Sequence, residues 1–292
     1  MNPPLRSWVL AARPPTLWAA VAPVLVGSAL AKQADVFRWD AFAVIMIAAV
    51  LIQIGVNFAN DVADGNRGTD VGRIGPTRAV AAGLITPRQM WRGIAWAFGL
   101  ASLAGLYLIK LGGPWILVIG VVSIIAALGY TNGPIPYGYY GLGEAFVFIF
   151  FGLVATAGTR FVYDRTLGPG AWVGGIAMGL LASAILLANN VRDIETDTTA
   201  GKRTLAVIVG RRSAVMIFAI CIIGGIIVPA VGVVFDWLPA GAMLTLPALP
   251  VGLQQVRRLH TERTGPPLIK VLKATARLQL LVGLLLAAGI LI

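Results

Sequence analysis

The sequence predicts an all-α, polytopic membrane protein: nine transmembrane helices in a single domain over residues 1–292. Two observations set this class. With 58% hydrophobic residues, 12% charged residues and a mean hydropathy of +0.85, the chain has too few polar groups to cover a water-soluble globule. Its apolar stretches also recur at roughly the 20-residue length that a hydrocarbon core of about 30 Å requires of a helix.

In order, the segments are roughly 15 to 31, 41 to 60, 89 to 110, 113 to 131, 141 to 162, 170 to 190, 213 to 235, 238 to 255 and 268 to 290. The first follows Arg13-Pro14-Pro15, prolines at a helix start, and lacks a small-residue cleavage pattern, so it reads as a permanent helix rather than a removed signal peptide. Pro114, Pro134, Pro136, Pro169, Pro239, Pro266 and Pro267 fall at or between segment ends, where a missing backbone donor does least harm. The 35 glycines permit close helix packing.

Eighteen of the 23 Lys and Arg residues fall in alternate connections and five in the others. The positive-inside rule then places the N-terminus cytoplasmic and the C-terminus outside a cell membrane. The net charge of +11 is accounted for by this bias and by attraction to anionic membrane lipid. Nucleic acid is excluded as a partner, because the cations are dispersed and no binding module accompanies them. A lone Cys221 and a lone His260 provide neither a disulfide scaffold nor a His/Cys metal site. The remaining ligands are carboxylate and amide oxygens, hard donors that suit Mg²⁺.

The chemistry is expected at two acidic runs. Asn57-Phe58-Ala59-Asn60-Asp61-Val62-Ala63-Asp64 ends the second segment, and Asn189-Asn190-Val191-Arg192-Asp193-Ile194-Glu195-Thr196-Asp197 ends the sixth. Both contain Asn-x-x-x-Asp, in a chain with only 12 carboxylates. Carboxylates at membrane helix ends are costly and mark ion or substrate sites. Positions four apart share a helix face, so Asn57 with Asp61, Asn60 with Asp64, and Asn189 with Asp193 and Asp197 can point into one cleft. Related text follows each run, Gly75-Pro76-Thr77-Arg78-Ala79-Val80 and Lys202-Arg203-Thr204-Leu205-Ala206-Val207. Four segments separate the copies, so a duplicated four-helix unit would bring both runs to the cytoplasmic face around one central cavity, with the ninth helix an addition.

Paired oxygen ligands can hold Mg²⁺, which keeps several waters and shares its coordination with substrate phosphates. Arg67, Arg73, Arg78, Arg192, Lys202 and Arg203 surround the runs, and arginine forks bind phosphate oxygens bidentately. The third cytoplasmic connection, from Gly129 to Glu144, has no Lys or Arg and is rich in tyrosine. It reads either as a lid offering ring faces of Tyr130, Tyr137 and Tyr139, or as an interfacial aromatic belt. Glu144 reads either as a helix N-terminal charge partner or as a group orienting an acceptor hydroxyl. Arg13 is a cytoplasmic anchor that can also border the cleft.

At these residues the chain resembles the UbiA superfamily of intramembrane prenyltransferases, in its 1,4-dihydroxy-2-naphthoate polyprenyltransferase branch. The resemblance rests on Ala12-Arg13-Pro14-x-Thr16-Leu17, Asn57-x-x-Asn60-Asp61-x-x-Asp64, Gly68-Thr69-Asp70, Arg73-x-Gly75-Pro76-x-Arg78, Pro136-Tyr137-Gly138-Tyr139, Gly143-Glu144 and Asn189-Asn190-x-Arg192-Asp193-x-x-x-Asp197 with Lys202. It implies a nine-helix fold around a central cavity open to lipid. It also implies Mg²⁺ held by Asp61, Asp64, Asp193 and Asp197, and a polyprenyl diphosphate bound there with Asn57, Asn60, Arg67, Arg78, Asn189, Arg192, Lys202 and Arg203. The implied reaction is prenyl transfer to 1,4-dihydroxy-2-naphthoate with decarboxylation, giving demethylmenaquinone; 4-hydroxybenzoate and homogentisate are the alternative aromatic acceptors. The superfamily often has an aspartate where this chain has Gly68, and Asp70 stands two residues later, which leaves its metal role open. Asp61-Val62-Ala63-Asp64-Gly65 also opens the signature of CDP-alcohol phosphotransferases, but the rest of that signature fails. A transporter would place its site near the midplane rather than at helix ends.

Overall fold

The structure, a computed structural model, describes residues 3–67, 78–133, 136–263 and 265–292, with the side chains of 66 and 67 outside the description. Every regular element among the described residues is helical. The helices are α1 (Leu5–Ala12), α2 (Trp18–Gln33), α3 (Trp39–Arg67), α4 (Pro87–Gly112), α5 (Trp115–Gly129), α6 (Gly143–Asp164), α7 (Pro169–Arg192), α8 (Ile194–Thr199), α9 (Leu205–Val234), α10 (Leu249–Thr261) and α11 (Pro266–Ile290). Short 3₁₀ stretches lie at Pro14–Thr16, Tyr137–Tyr139 and Ala240–Ala248.

Local chemistry sets several boundaries. Thr86 and Gln89 form a reciprocal capping box at the start of α4, with Pro87 in the first turn where its missing N–H costs nothing. Gly113, at φ 82°, ends that helix in a conformation open to glycine. Arg13, at φ 51°, turns the chain sharply between α1 and α2.

α7 is the hub of the molecule. Of its most apolar window 78% is buried, against 28% to 44% in the other five long helices, which face lipid over more of their surface. It packs against α9, α11 and the π-helical stretch Phe148–Val154 inside α6. There, a Cβ on Gly152 would lie 2.4 Å from the Gly179 Cα, so the two backbones cross at a distance only glycine allows. One packed cluster joins α1, α3 and α4 through Phe58, Met90, Ile94 and Phe98. A larger one joins α2, α7, α9 and α11 through Val26, Met178, Leu181, Phe218, Ile222 and Val282.

The described helices meet the nine-segment expectation in part. Six described helices are long and apolar enough to cross a membrane, or seven if Leu5–Thr16 and Trp18–Gln33, bent by 53°, count as one broken span. The segment expected near 113 to 131 is the 15-residue α5. The one expected near 238 to 255 divides into a 3₁₀ stretch and α10, with Pro247 inside the first part. Two contacts hold that irregular piece: Thr245 Oγ1 donates to the Ile226 carbonyl at 2.9 Å, and Gly241 abuts Gly289 backbone to backbone. Hydropathy counts apolar residues and does not register these breaks.

Candidate active site

α3 and α7 deliver their C-terminal ends to the mouth of a cavity of about 490 Å³. Along α3, Gln53, Asn57, Asn60 and Asp64 recur at three- and four-residue steps and line it; Asn189, Asn190 and Asp193 do so from α7, and Asp197 from α8. The deeper wall is apolar, with Val24, Ile45, Ile116, Phe150, Val154 and Val162 among its residues. One cavity thus joins a charged end to a hydrocarbon-like interior.

Asp64 is the junction of the charged end. Its Oδ1 accepts from Lys202 Nζ at 2.7 Å and from the Tyr139 hydroxyl at 2.9 Å, and its Oδ2 from Arg78 Nη2 at 3.3 Å. A carboxylate from the first run is therefore held by a lysine following the second run and by the tyrosine-rich connection. The Asp64 and Lys202 side chains are 6% and 12% exposed, so the pair is shielded from water. Burial works against the Lys202 charge, but the adjoining Asp64 carboxylate outweighs it and holds the ammonium above the ordinary lysine range. Lys202 Nζ also stands 4.6 Å from the centre of the Tyr139 ring.

In the second run, Arg192 grips both Asp193 oxygens at 2.6 Å through Nε and Nη2, and Nη2 reaches Asn189 Oδ1 at 2.8 Å. Asn189 Nδ2 donates to Asp193 at 3.4 Å. The backbone of Asp197 is fixed at both ends, its N–H donating to the Asp193 carbonyl and its carbonyl accepting from Lys202 N–H.

The other expected site residues take other partners or lie off the cavity wall. Asp61 does not line the cavity: its oxygens accept from the N–H groups of Ala79 and Val80 at 3.1 and 3.0 Å, and Arg13 lies 4.0 Å away. It anchors the chain that returns to α4. Asn57 Nδ2 donates to the Ala12 carbonyl at 2.8 Å and to Thr16 Oγ1 at 3.0 Å, tying α3 to the turn at Arg13, which itself lines the cavity. The Arg203 residue is exposed and outside the cavity wall, and only its N–H engages the site, through the Tyr139 carbonyl. Arg192 lies behind the wall it organises. The Arg67 side chain, Asp70 and Arg73 lie outside the described residues.

Tyr130 and Tyr137 line the wall. Tyr137 stacks on Phe146 with ring centres 3.8 Å apart and donates to the Ala126 carbonyl at 2.6 Å; burial pushes its phenol to titrate higher than usual. Glu144 is 6% exposed, sits behind the wall and accepts from Asn190 Nδ2 at 2.8 Å.

Sequence reasoning missed Gln53, Thr131 and the separate part of Asn190. Gln53 is 6% exposed and lines the cavity one turn below Asn57; Thr131 donates to Asn60 Oδ1 at 3.0 Å. Gln53 had a signal, a lone amide inside the apolar stretch 41 to 56. Among the described residues, no three His, Cys, Asp or Glu side chains form a ready-made metal cage.

The UbiA prenyltransferase family model matches residues 20–289. The 1,4-dihydroxy-2-naphthoate octaprenyltransferase of Mycobacterium tuberculosis is 39% identical over 286 residues, covering 97% of this chain and 95% of that protein. The enzyme of the same name from Escherichia coli is 36% identical, covering 98% and 95%. A solved UbiA homolog from Archaeoglobus fulgidus, bound to GPP and Mg²⁺, aligns with a TM-score of 0.66 over 97% of this chain and 99% of its own. At 14% identity it shares the fold. Agreement in family model, in near full-length identity and in fold places this multi-pass membrane chain in the UbiA prenyltransferase family.

Proposed function

We propose that the chain transfers a polyprenyl group from polyprenyl diphosphate to 1,4-dihydroxy-2-naphthoate, with loss of carbon dioxide, to give the quinol precursor of demethylmenaquinone. The observation that carries this reading is the Asp64–Lys202 pair at 2.7 Å, which closes the two acidic runs around the polar end of one apolar cavity. A lipid diphosphate matches both halves: a polyanion for the cations and a hydrocarbon tail for the wall. The acceptor follows from relatives at 30% to 39% identity that carry the naphthoate octaprenyltransferase name.

The donor set fits Mg²⁺. Asp64, Asp193 and Asp197 present hard oxygens to one cavity, joined by the amides of Asn60 and Asn189, and Asp61 stands one turn behind. When bound, Mg²⁺ supplies Lewis-acid neutralisation of the diphosphate.

The chain's own groups do the rest. Arg78 and Lys202 are fixed beside the carboxylates, so charge developing on the departing diphosphate meets cations already in place. The allylic carbon–oxygen bond breaks with its electron pair going to the diphosphate. A ring carbon of the naphthoate then bonds to the allylic carbon, and the carboxylate leaves as carbon dioxide, returning its electron pair to the ring. Tyr130, Tyr137 and the apolar wall keep water from the electron-poor carbon. Arg13 borders the pocket at the turn before α2. We place this end in the cytoplasm, with nine membrane segments arranged as two four-helix units and one addition. The support is the cation bias and the shared position of both runs at helix C-termini.

Mass spectrometry of the product tests the reading. The purified chain, given a polyprenyl diphosphate and Mg²⁺, forms a prenylated, decarboxylated product from 1,4-dihydroxy-2-naphthoate; a product from 4-hydroxybenzoate alone overturns the acceptor assignment.

A further inference from the structure

We propose that the Asn190 side-chain oxygen accepts a hydrogen bond from a hydroxyl of the aromatic acceptor, and that Glu144 is the positioning residue that turns that oxygen toward the cavity. The inference rests on the aromatic-acceptor reading above. Glu144 lies at the start of α6 and is 6% exposed; Asn190, near the end of α7, is 4% exposed and lines the cavity. Their contact is Asn190 Nδ2 to Glu144 Oε1 at 2.8 Å, and the second Glu144 oxygen is buried with no hydrogen-bond partner among the described residues. In this contact the amide nitrogen faces Glu144, whose carboxyl oxygen accepts. The amide oxygen is then the atom left for a ligand, whichever way the amide would otherwise turn.

The backbone makes this arrangement firm. Ser183 Oγ donates to the Glu144 carbonyl at 3.0 Å, fastening the start of α6 to α7 about two turns before Asn190. A Cβ on Gly143 would lie 3.2 Å from both Leu186 and Tyr130, so Glu144 enters between tightly packed groups. Holding a carboxylate in such a place with one partner is costly, and a role in setting a neighbour explains the cost better than stability does.

The asymmetry of the runs selects the ligand. Asn57 and Asp61 have counterparts in Asn189 and Asp193 of the second run, but the position matching Asn190 is Phe58, packed edge-on against Trp8 with ring centres 5.4 Å apart. Matched groups serve the diphosphate, which both runs surround. The unmatched amide, set on one side and deeper along α7 than Asp193, serves the ligand that approaches from that side only. A hydroxyl on an aromatic ring supplies the donor that an amide oxygen needs.

Steady-state kinetics of the purified full chain, varying the naphthoate and the prenyl diphosphate separately, test the proposal. Glu144→Leu and Asn190→Leu each raise the KM for the naphthoate about tenfold, the loss of one oriented hydrogen bond, with the KM for the prenyl diphosphate unchanged. Glu144→Gln retains near wild-type constants, because its amide oxygen still accepts from Asn190. In the Asn190→Leu background, adding Glu144→Leu brings no further rise. A shift of both KM values together, or additive effects in the double variant, overturns the proposal. If Glu144→Leu does not fold, the Glu144→Gln and Asn190→Leu results decide alone. Wild-type protein that turns over no aromatic acceptor refutes the function itself, an outcome separate from an absent KM split.

Discussion

The two acidic runs share a spacing and have been put to different uses. In the first, Asn57, Asn60 and Asp64 line the cavity, but Asn57 is also tied to the Ala12 carbonyl and Thr16, and Asp61 is committed to the backbone of Ala79 and Val80. In the second, Asn189, Asn190, Asp193 and Asp197 all line the cavity, and Arg192 braces Asp193 from behind. The first run gives Asp61 to the frame that returns the chain to α4, whereas both aspartates and both asparagines of the second line the cavity. Matching motifs therefore identify where a site forms without fixing which member of each motif touches the ligand.

Substitutions can break that contrast. Asp64→Asn removes the charge at the junction and is expected to lower kcat/KM by about a thousandfold, with Asp193→Asn close behind; steady-state assays of detergent-purified protein check both. Asp61→Asn changes a residue off the cavity wall. Its expected signature is a lower melting temperature, from loss of charge-assisted bonds to Ala79 and Val80, with a fall in activity at least tenfold smaller than that of Asp64→Asn. Equal kinetic losses at Asp61 and Asp64 would erase the distinction between frame and ligand.

Lys202→Met is expected to cost about a hundredfold in kcat/KM, since it takes away one of the fixed cations facing the leaving diphosphate. Because its folded pKa is raised, the Lys202–Asp64 attraction is fully present below the ordinary lysine value of 10.5 and is lost only as pH rises through the higher folded value. The pH–rate profile should accordingly show no alkaline loss attributable to Lys202 between pH 7 and that value; comparing wild type with Lys202→Arg over this range tests it.

The smallest effect is expected at Asn57→Ala, about 1 kcal/mol of stability from the released Ala12 carbonyl and Thr16, measured by thermal unfolding in detergent.

Much of the site was legible because carboxylates and amides are conspicuous in an apolar chain, and their four-residue spacing gives a helix face. Asp64, Asp193 and Asp197 follow from that logic, Lys202 from the cations that follow the second run, and all line the cavity. The capture of Asp61 was not legible, since backbone N–H groups carry no sequence signature. Nor was the retreat of Glu144 behind Asn190, which depends on the crossing of α6 and α7 at Gly152 and Gly179. The membrane class was plain from hydropathy, but the number of continuous spans was not. The 15-residue length of α5 and the 3₁₀ stretch at Ala240–Ala248 shorten or interrupt apolar text that reads as uniform helix.

Pyrophosphate binding in the presence of Mn²⁺, followed by titration calorimetry on the purified chain, addresses the joint use of the two runs most directly. One site per chain is expected, lost on changing either Asp64→Asn or Asp193→Asn. Two independent sites, each surviving the loss of the other run's carboxylate, would contradict the account.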